Sequence, residues 1–144
     1  MELPPGAKAT RYNHHDHQLG LRNLDKVLPR MESYLQESIT VSHVFYEALD
    51  GVTNETKKNI ELKSRSNDYN RMGMETWLVP ANKISKARTS DKPTYIFYYW
   101  VRDDSLWVYE VDQRIEELEP EVPSWHEYGS LHYYVPFWFF KRVD

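Results

Sequence analysis

Two acidic residues and a lysine have the types and the spacing that hydrolysis of a phosphate ester requires. Asp50 is followed eleven residues later by Glu61, and Lys63 comes two residues after Glu61. Side chains alternate along a strand, so a strand here places Glu61 and Lys63 on one face and Ile60 and Leu62 on the other. We expect the first face to carry chemistry and the second to pack in a core.

The same spacing predicts a metal site. If Asp50 lies in the preceding strand and residues 54–58 turn the chain back, the two carboxylates face each other. Their oxygens, the Leu62 backbone carbonyl and waters are the hard ligands that Mg²⁺ prefers, and we expect Mn²⁺ to substitute for it. Such an ion polarises a phosphate, helps a bound water to ionise and neutralises the leaving oxygen. Lys63 would orient the attacking water and stabilise the pentacovalent phosphorus, so Asp50, Glu61 and Lys63 are predicted to be catalytic.

These residues, in this order, resemble the PD-(D/E)XK nuclease superfamily, which includes restriction endonucleases, lambda-type exonucleases and archaeal Holliday-junction resolvases. The resemblance covers roughly residues 20–112. It implies an α/β fold with a mixed central sheet flanked by helices, as in restriction endonucleases. It also implies that Asp50 and Glu61 bind the metal, that Lys63 is the catalytic lysine, and that the substrate is DNA rather than RNA.

One residue departs from the superfamily pattern. A proline often precedes the first acid in the superfamily, whereas Leu49 precedes Asp50 here. Glu47 is therefore an alternative for the first acid. If Glu47 takes that role, the strand register differs from the one that places Asp50 opposite Glu61.

The net charge at pH 7 is −4, but it is unevenly distributed along the chain. Residues 57–92 contain nine basic and four acidic residues, and residues 103–121 contain eight acidic residues and one basic residue. A local basic surface suits contacts with phosphates. We expect Arg65, Lys83 and Lys86 to bind substrate, the two lysines sharing one face if residues 82–88 are helical. The alternative is that these are ordinary solvated side chains.

The chain of 144 residues is predicted to form an N-terminal arm, residues 1–20, and a single nuclease-like domain, residues 21–144. Apolar residues at helical spacing predict one or two helices between residues 21 and 35, with Pro29 starting the second or kinking the first. Glu32 and Glu37 could each add a further carboxylate to the site. Residues 39–48 predict a strand, and residues 66–87 are predicted to be partly helical.

Two long apolar segments complete the predicted core. Residues 95–101 are apolar on both faces, which indicates a central strand, and residues 106–111 would pair with them in a hairpin. Residues 133–140 are predicted either to close the sheet as an edge strand or to form a contact in a homo-oligomer.

No apolar run approaches the roughly 20 residues that a membrane-spanning helix needs, so we expect no membrane association. The absence of cysteine is consistent with a cytoplasmic, intracellular protein.

The sequence therefore predicts a metal-dependent nuclease with nucleic acid as its partner. One alternative is a catalytically inactive nuclease-like subunit that binds nucleic acid or serves in assembly. A second alternative is a structural or adaptor protein without a ligand, which would be favoured if Glu61 and Lys63 lay far from every other acid.

Overall fold

The computed structural model describes residues 14–45, 48–65, 75–123 and 130–144. The helices and strands, in chain order, are α1 (His14–Leu35), β1 (Ile39–Phe45), β2 (Ala48–Thr53), β3 (Asn59–Arg65), β4 (Thr76–Pro80), α2 (Ala81–Thr89), β5 (Thr94–Trp100), β6 (Ser105–Glu110), β7 (His132–Pro136) and β8 (Lys141–Arg142). Short 3₁₀ helices lie at Gln113–Glu117 and Phe137–Phe139.

Within the described part of the chain, the strands form two sheets. The larger, with six strands, has the order β1-β2-β3-β5-β6-β8, and the smaller pairs β4 with β7. In the larger sheet β3 and β5 are parallel, and the other neighbouring strands are antiparallel. Parallel strands need a long crossover connection, and the connection from β3 to β5 contains β4 and α2. The prediction of an α/β fold with a mixed central sheet is confirmed.

The large sheet separates two hydrophobic cores. One face packs against α1 through Leu24, Val27, Met31 and Leu35, which recur at helical spacing. The opposite face packs against α2 and the small sheet, and this second core is rich in aromatic side chains. Strand β5 contributes side chains to both cores, as predicted for a central strand.

The N-terminal helix differs from its prediction. Helix α1 begins at His14, inside the segment predicted as an arm, and residues 1–13 of that segment lie outside the described residues. Of the two alternatives for Pro29, the structure has the single helix, because α1 continues through the proline. Tertiary packing explains this continuity, because Val27 and Met31, on either side of the proline, are both completely buried.

The prediction for the segment after β3 is confirmed in part. Part of residues 66–87 was predicted to be helical, and α2 makes residues 81–87 helical. Thr76–Pro80 is a strand, β4, whose partner β7 lies more than fifty residues further along the chain. Residues 66–74 lie outside the described residues.

The C-terminal segment is partly buried within the chain, but it is not the predicted edge strand of the large sheet. Strand β7 pairs with β4, and the short β8 forms the edge beside β6. Val135 and Phe140 are buried, whereas Trp138 is 62% exposed. Homo-oligomer formation through this segment stays a prediction.

Gly51, directly after Asp50, allows β1 and β2 to approach each other closely. A Cβ atom at this position would lie 2.9 Å from the Thr40 carbonyl oxygen and 3.0 Å from the Ile39 Cγ2 atom. The first of these contacts is to backbone that is held in the sheet. An alanine would therefore push the two strands apart.

We expect Gly51→Ala to lower the free energy of unfolding by about 1–3 kcal/mol, the usual cost of forcing a methyl group into packed surroundings. Urea denaturation of the variant and the wild-type protein would measure the difference. An unchanged or higher unfolding midpoint would show that β1 moves away from Gly51 without cost.

Candidate active site

The pairing of β2 with β3 places two acids side by side. Asp50 and Glu61 are directly opposite each other in the antiparallel register, so their side chains extend from the same face of the sheet. Both are buried, with 9% of Asp50 and 5% of Glu61 exposed. The face is the one that packs against α2, because the flanking Ile60 and Leu62 pack against α1.

The turn between β2 and β3 is held by Glu37, which follows α1. The Glu37 Oε1 atom accepts hydrogen bonds from the backbone N–H groups of Glu55 and Thr56 at 3.0 and 2.7 Å. Its Oε2 atom accepts from the Thr56 hydroxyl group and, at 2.9 Å, from Lys58 Nζ. These bonds, the Thr56 hydroxyl first among them, lower the pKa of Glu37 to about 2.

Glu37 therefore has a structural role at this turn. Glu32, the other acid considered from the helix, accepts a hydrogen bond from the Ile39 backbone N–H at 2.8 Å. The hydrogen bonds of both acids tie α1 to the sheet.

Helix α2 brings two lysines to the acid pair. Lys83 Nζ lies 2.8 and 2.9 Å from the two Asp50 carboxylate oxygens and 3.2 Å from Glu61 Oε2. Lys86 Nζ lies 3.6 Å from Glu61 Oε1. The two lysines are three positions apart and share a helix face, and Ile84 between them is completely buried in the second core.

The two acids have opposite pKa shifts. Burial raises the pKa of Glu61, and the adjacent Asp50 carboxyl raises it further, to about 8. Burial also opposes ionisation of Asp50, but hydrogen bonds with Glu61 and Lys83 outweigh it and hold the pKa of Asp50 below its usual range. At pH 7 the pair therefore carries about one negative charge, balanced by the Lys83 ammonium.

The pKa of Lys83 is raised by its contacts with the two acids. Burial favours the neutral amine, but the hydrogen bond with Asp50 and the charges of both acids outweigh that effect. Lys83 thus stays protonated while it contacts the two carboxyl groups.

The other predicted site residues lie along β3. Lys63 follows Glu61 by two positions, so it extends from the same face, and it is partly buried. Leu62 has its side chain in the first core and its backbone between Leu49 and Phe97 in the register. Glu47, the alternative first acid, lies outside the described residues.

Arg65 ends the row of polar residues on β3. Its Nε atom donates to the Tyr98 hydroxyl group at 3.1 Å, and that hydroxyl donates to the Leu78 carbonyl at 3.3 Å. Arg65 is therefore connected to the small sheet. Lys83 and Lys86, predicted only to bind substrate, contact the acids directly.

His43 is a further polar residue on this face, and nothing in the sequence indicated its position. Strand β1 has a bulge between Val41 and His43, so that His43 is the register partner of Asp50. Val41 and Val44 both pack in the first core, which requires His43 to lie on the opposite face. A regular strand would have put Val41 and His43 on the same face.

The acid pair suits a hard divalent cation held partly by substrate. Among the described residues, no three His, Cys, Asp or Glu side chains form a metal-binding group. Mg²⁺ in phosphoryl-transfer sites commonly takes only one or two carboxylates, with waters and phosphate oxygens as its other ligands. Glu61 Oε1 is buried and has no hydrogen-bond partner among the described residues, so it retains the capacity to bind a cation.

Comparisons with known proteins identify no relative: no protein-family model, curated protein or solved structure matches the chain. In the described part of the chain, no helix has the length and apolar character to cross a membrane.

The raised pKa of Glu61 predicts a pH-dependent stability in the absence of metal. The native protein takes up a proton between the ordinary value of 4.5 and about 8. This contribution to stability is therefore full below the ordinary pKa and is lost as the pH rises through that window. The expected slope is at most about 1.4 kcal/mol per pH unit.

Urea unfolding in chelator at several pH values between 5 and 8 would measure this slope for the wild-type protein and for Glu61→Gln, which cannot ionise. The variant should lose less stability as the pH rises. Glu117→Gln, at an exposed position, is the matched control and should follow the wild-type protein. Parallel curves for wild type and Glu61→Gln would contradict the raised pKa.

Proposed function

We propose that this chain is a Mg²⁺-dependent nuclease with a restriction-endonuclease-like fold, and that its substrate is DNA rather than RNA. The observation that carries the proposal is the convergence of Asp50 and Glu61, buried and directly opposite each other, at the ammonium of Lys83. Buried acids with strongly shifted pKa values are characteristic of functional sites. The preference for DNA rests on the resemblance to the PD-(D/E)XK superfamily.

Each residue has a defined part in this proposal. Asp50 and Glu61 would hold Mg²⁺, with the Leu62 carbonyl as a further oxygen ligand, and Mn²⁺ would substitute. When bound, the ion would polarise the substrate phosphate and lower the pKa of a bound water. Lys63, on the same face as Glu61, would stabilise the charge that develops on phosphorus.

Further phosphate contacts would come from the cations around the acid pair. Lys83 and Lys86 lie at the acid pair, and Arg65 lies four positions beyond Glu61 on the same face of β3. The field of these cations would attract a polyanion despite the net negative charge of the chain.

A second candidate function has a specific observation in its favour. Lys83 and Lys86 already neutralise the acid pair, as in a structural ion-pair network. A nuclease-like subunit that binds nucleic acid or serves in assembly, without catalysis, would need no more than this network. Cleavage measurements separate the two candidates.

Purified protein should cleave DNA when Mg²⁺ or Mn²⁺ is present, and Glu61→Gln should abolish cleavage because the amide cannot supply an anionic ligand. The measurement is time-resolved cleavage of labelled DNA, with circular dichroism to confirm that the variant folds. Cleavage that persists in chelator, or in the Glu61→Gln protein, would contradict the proposal.

The first acid is tested in the same assay with a pair of variants. Asp50→Asn should be inactive and Glu47→Gln active, because Asp50 is the register partner of Glu61. The reverse result would assign the first metal ligand to Glu47. If the wild-type protein binds DNA but does not cleave it, the second candidate function, a catalytically inactive subunit, is favoured.

Lys63→Ala should reduce cleavage far more than binding. A positioned charge that acts on the transition state commonly contributes a factor of about 10²–10³ in rate. Loss of one phosphate contact lowers affinity and reduces the salt dependence by about one unit. Single-turnover cleavage and DNA binding would be measured across a salt series.

Lys92→Ala is the matched control for Lys63→Ala, since Lys92 is exposed and belongs to the same basic segment. It should leave the single-turnover rate close to that of the wild-type protein. If Lys63→Ala loses rate and affinity to the same extent, Lys63 only contributes to the basic surface.

A further inference from the structure

The Lys83 ammonium lies where a cation shared by the two acids would have to bind. Its Nζ atom contacts both oxygens of Asp50, at 2.8 and 2.9 Å, and Glu61 Oε2, at 3.2 Å. A Mg²⁺ ion binds its oxygen ligands at about 2.0–2.1 Å. An ion held by the same oxygens would therefore lie against the ammonium, and the repulsion between two close cations in a buried site is large.

We infer that Lys83 occupies the divalent-cation position in the metal-free protein and leaves the two carboxylates when a divalent cation binds. This inference rests on the metal site of the proposed function. It makes Lys83 a competitor of the metal, a role that phosphate binding alone would not give it.

The lysine side chain can make this movement. Lys83 has a flexible four-carbon stem, and 22% of its side chain is exposed, so an outward path to solvent exists. Helix α2 need not move, because Ile84 keeps it in the second core. After release, the ammonium remains on the helix that faces the acids, where it would contact a phosphate of the substrate.

Competition has a quantitative consequence. If the acids are free of Lys83 in only a fraction of the molecules, the apparent dissociation constant for metal exceeds the intrinsic one by the inverse of that fraction. With Lys83 withdrawn in a tenth of the molecules or fewer, its removal should tighten metal binding about tenfold or more.

Binding of Mn²⁺ at constant pH, measured from the electron paramagnetic resonance signal of the free ion, tests this inference without any activity assay. Lys83→Met should bind Mn²⁺ more tightly than the wild-type protein, by a factor of about ten or more. Lys86→Met is the matched control: it removes the same charge beside Glu61, but Lys86 Nζ lies 3.6 Å from a single oxygen. It should change the affinity several-fold less than Lys83→Met does.

Two results would overturn the inference while leaving the metal site intact. Equal tightening in the two variants would mean that only the local charge matters. Unchanged or weaker binding by Lys83→Met would mean that Lys83 and the metal do not compete. If neither the wild-type protein nor Lys83→Met binds Mn²⁺, the metal site itself is wrong and the proposed function falls with it.

A measurement on the wild-type protein covers the case in which Lys83→Met does not fold. The ¹⁵N resonances of the lysine ammonium groups would be followed as Mg²⁺ is added. Lys83 should change from a slowly exchanging, hydrogen-bonded ammonium to a rapidly exchanging one, with a smaller change at Lys86. A Lys83 signal that remains hydrogen-bonded at saturating Mg²⁺ would refute displacement.

Discussion

The register between β2 and β3 is the constraint on which the candidate site depends. Asp50 and Glu61 meet only because they are direct partners in this antiparallel pair. A slip by one residue would turn Asp50 toward the α1 core and bring Leu49 or Gly51 to the opposite face. The hydrogen bonds from the turn to Glu37 prevent that slip, since they fix the position at which the chain reverses.

Burying the acid pair costs a small protein folding free energy. Two buried carboxyl groups side by side cannot both ionise freely, and the pKa of Glu61 rises to about 8 as a result. Lys83 stabilises the pair, yet buried ion pairs can often be replaced by apolar residues without loss of stability. Stability alone therefore does not account for this arrangement, whereas the proposed metal site would.

The sequence predicts the parts of the fold that depend on local periodicity. Strand alternation and the turn after Thr53 were sufficient to place Asp50 opposite Glu61, and the apolar run in β5 was sufficient to identify a central strand. Spacing by three residues also put Lys83 and Lys86 on one helix face.

The features that escaped prediction depend on contacts between distant segments. Strand β4 pairs with β7, which lies far along the chain, and five residues of mixed character give no local sign of that partner. The bulge that turns His43 toward Asp50 is likewise invisible in the sequence, because it depends on how β1 fits against β2. The direct contact of Lys83 with both acids requires α2 to pack at one particular position on the sheet.

That position is set by the aromatic core, which gives the second sheet its role in the site. Trp77 on β4 packs against Tyr98 and Trp100 on β5, with ring centroids 5.2 and 5.3 Å apart. Helix α2 begins directly after β4, so this packing fixes where the helix starts, and Ile84 fixes its rotation by burying one side in the same core. The lysines on either side of Ile84 must then face the acids. The aromatic core thus determines where the two lysines lie, and the core beneath α1 supports β2 and β3, the strands that carry the two acids.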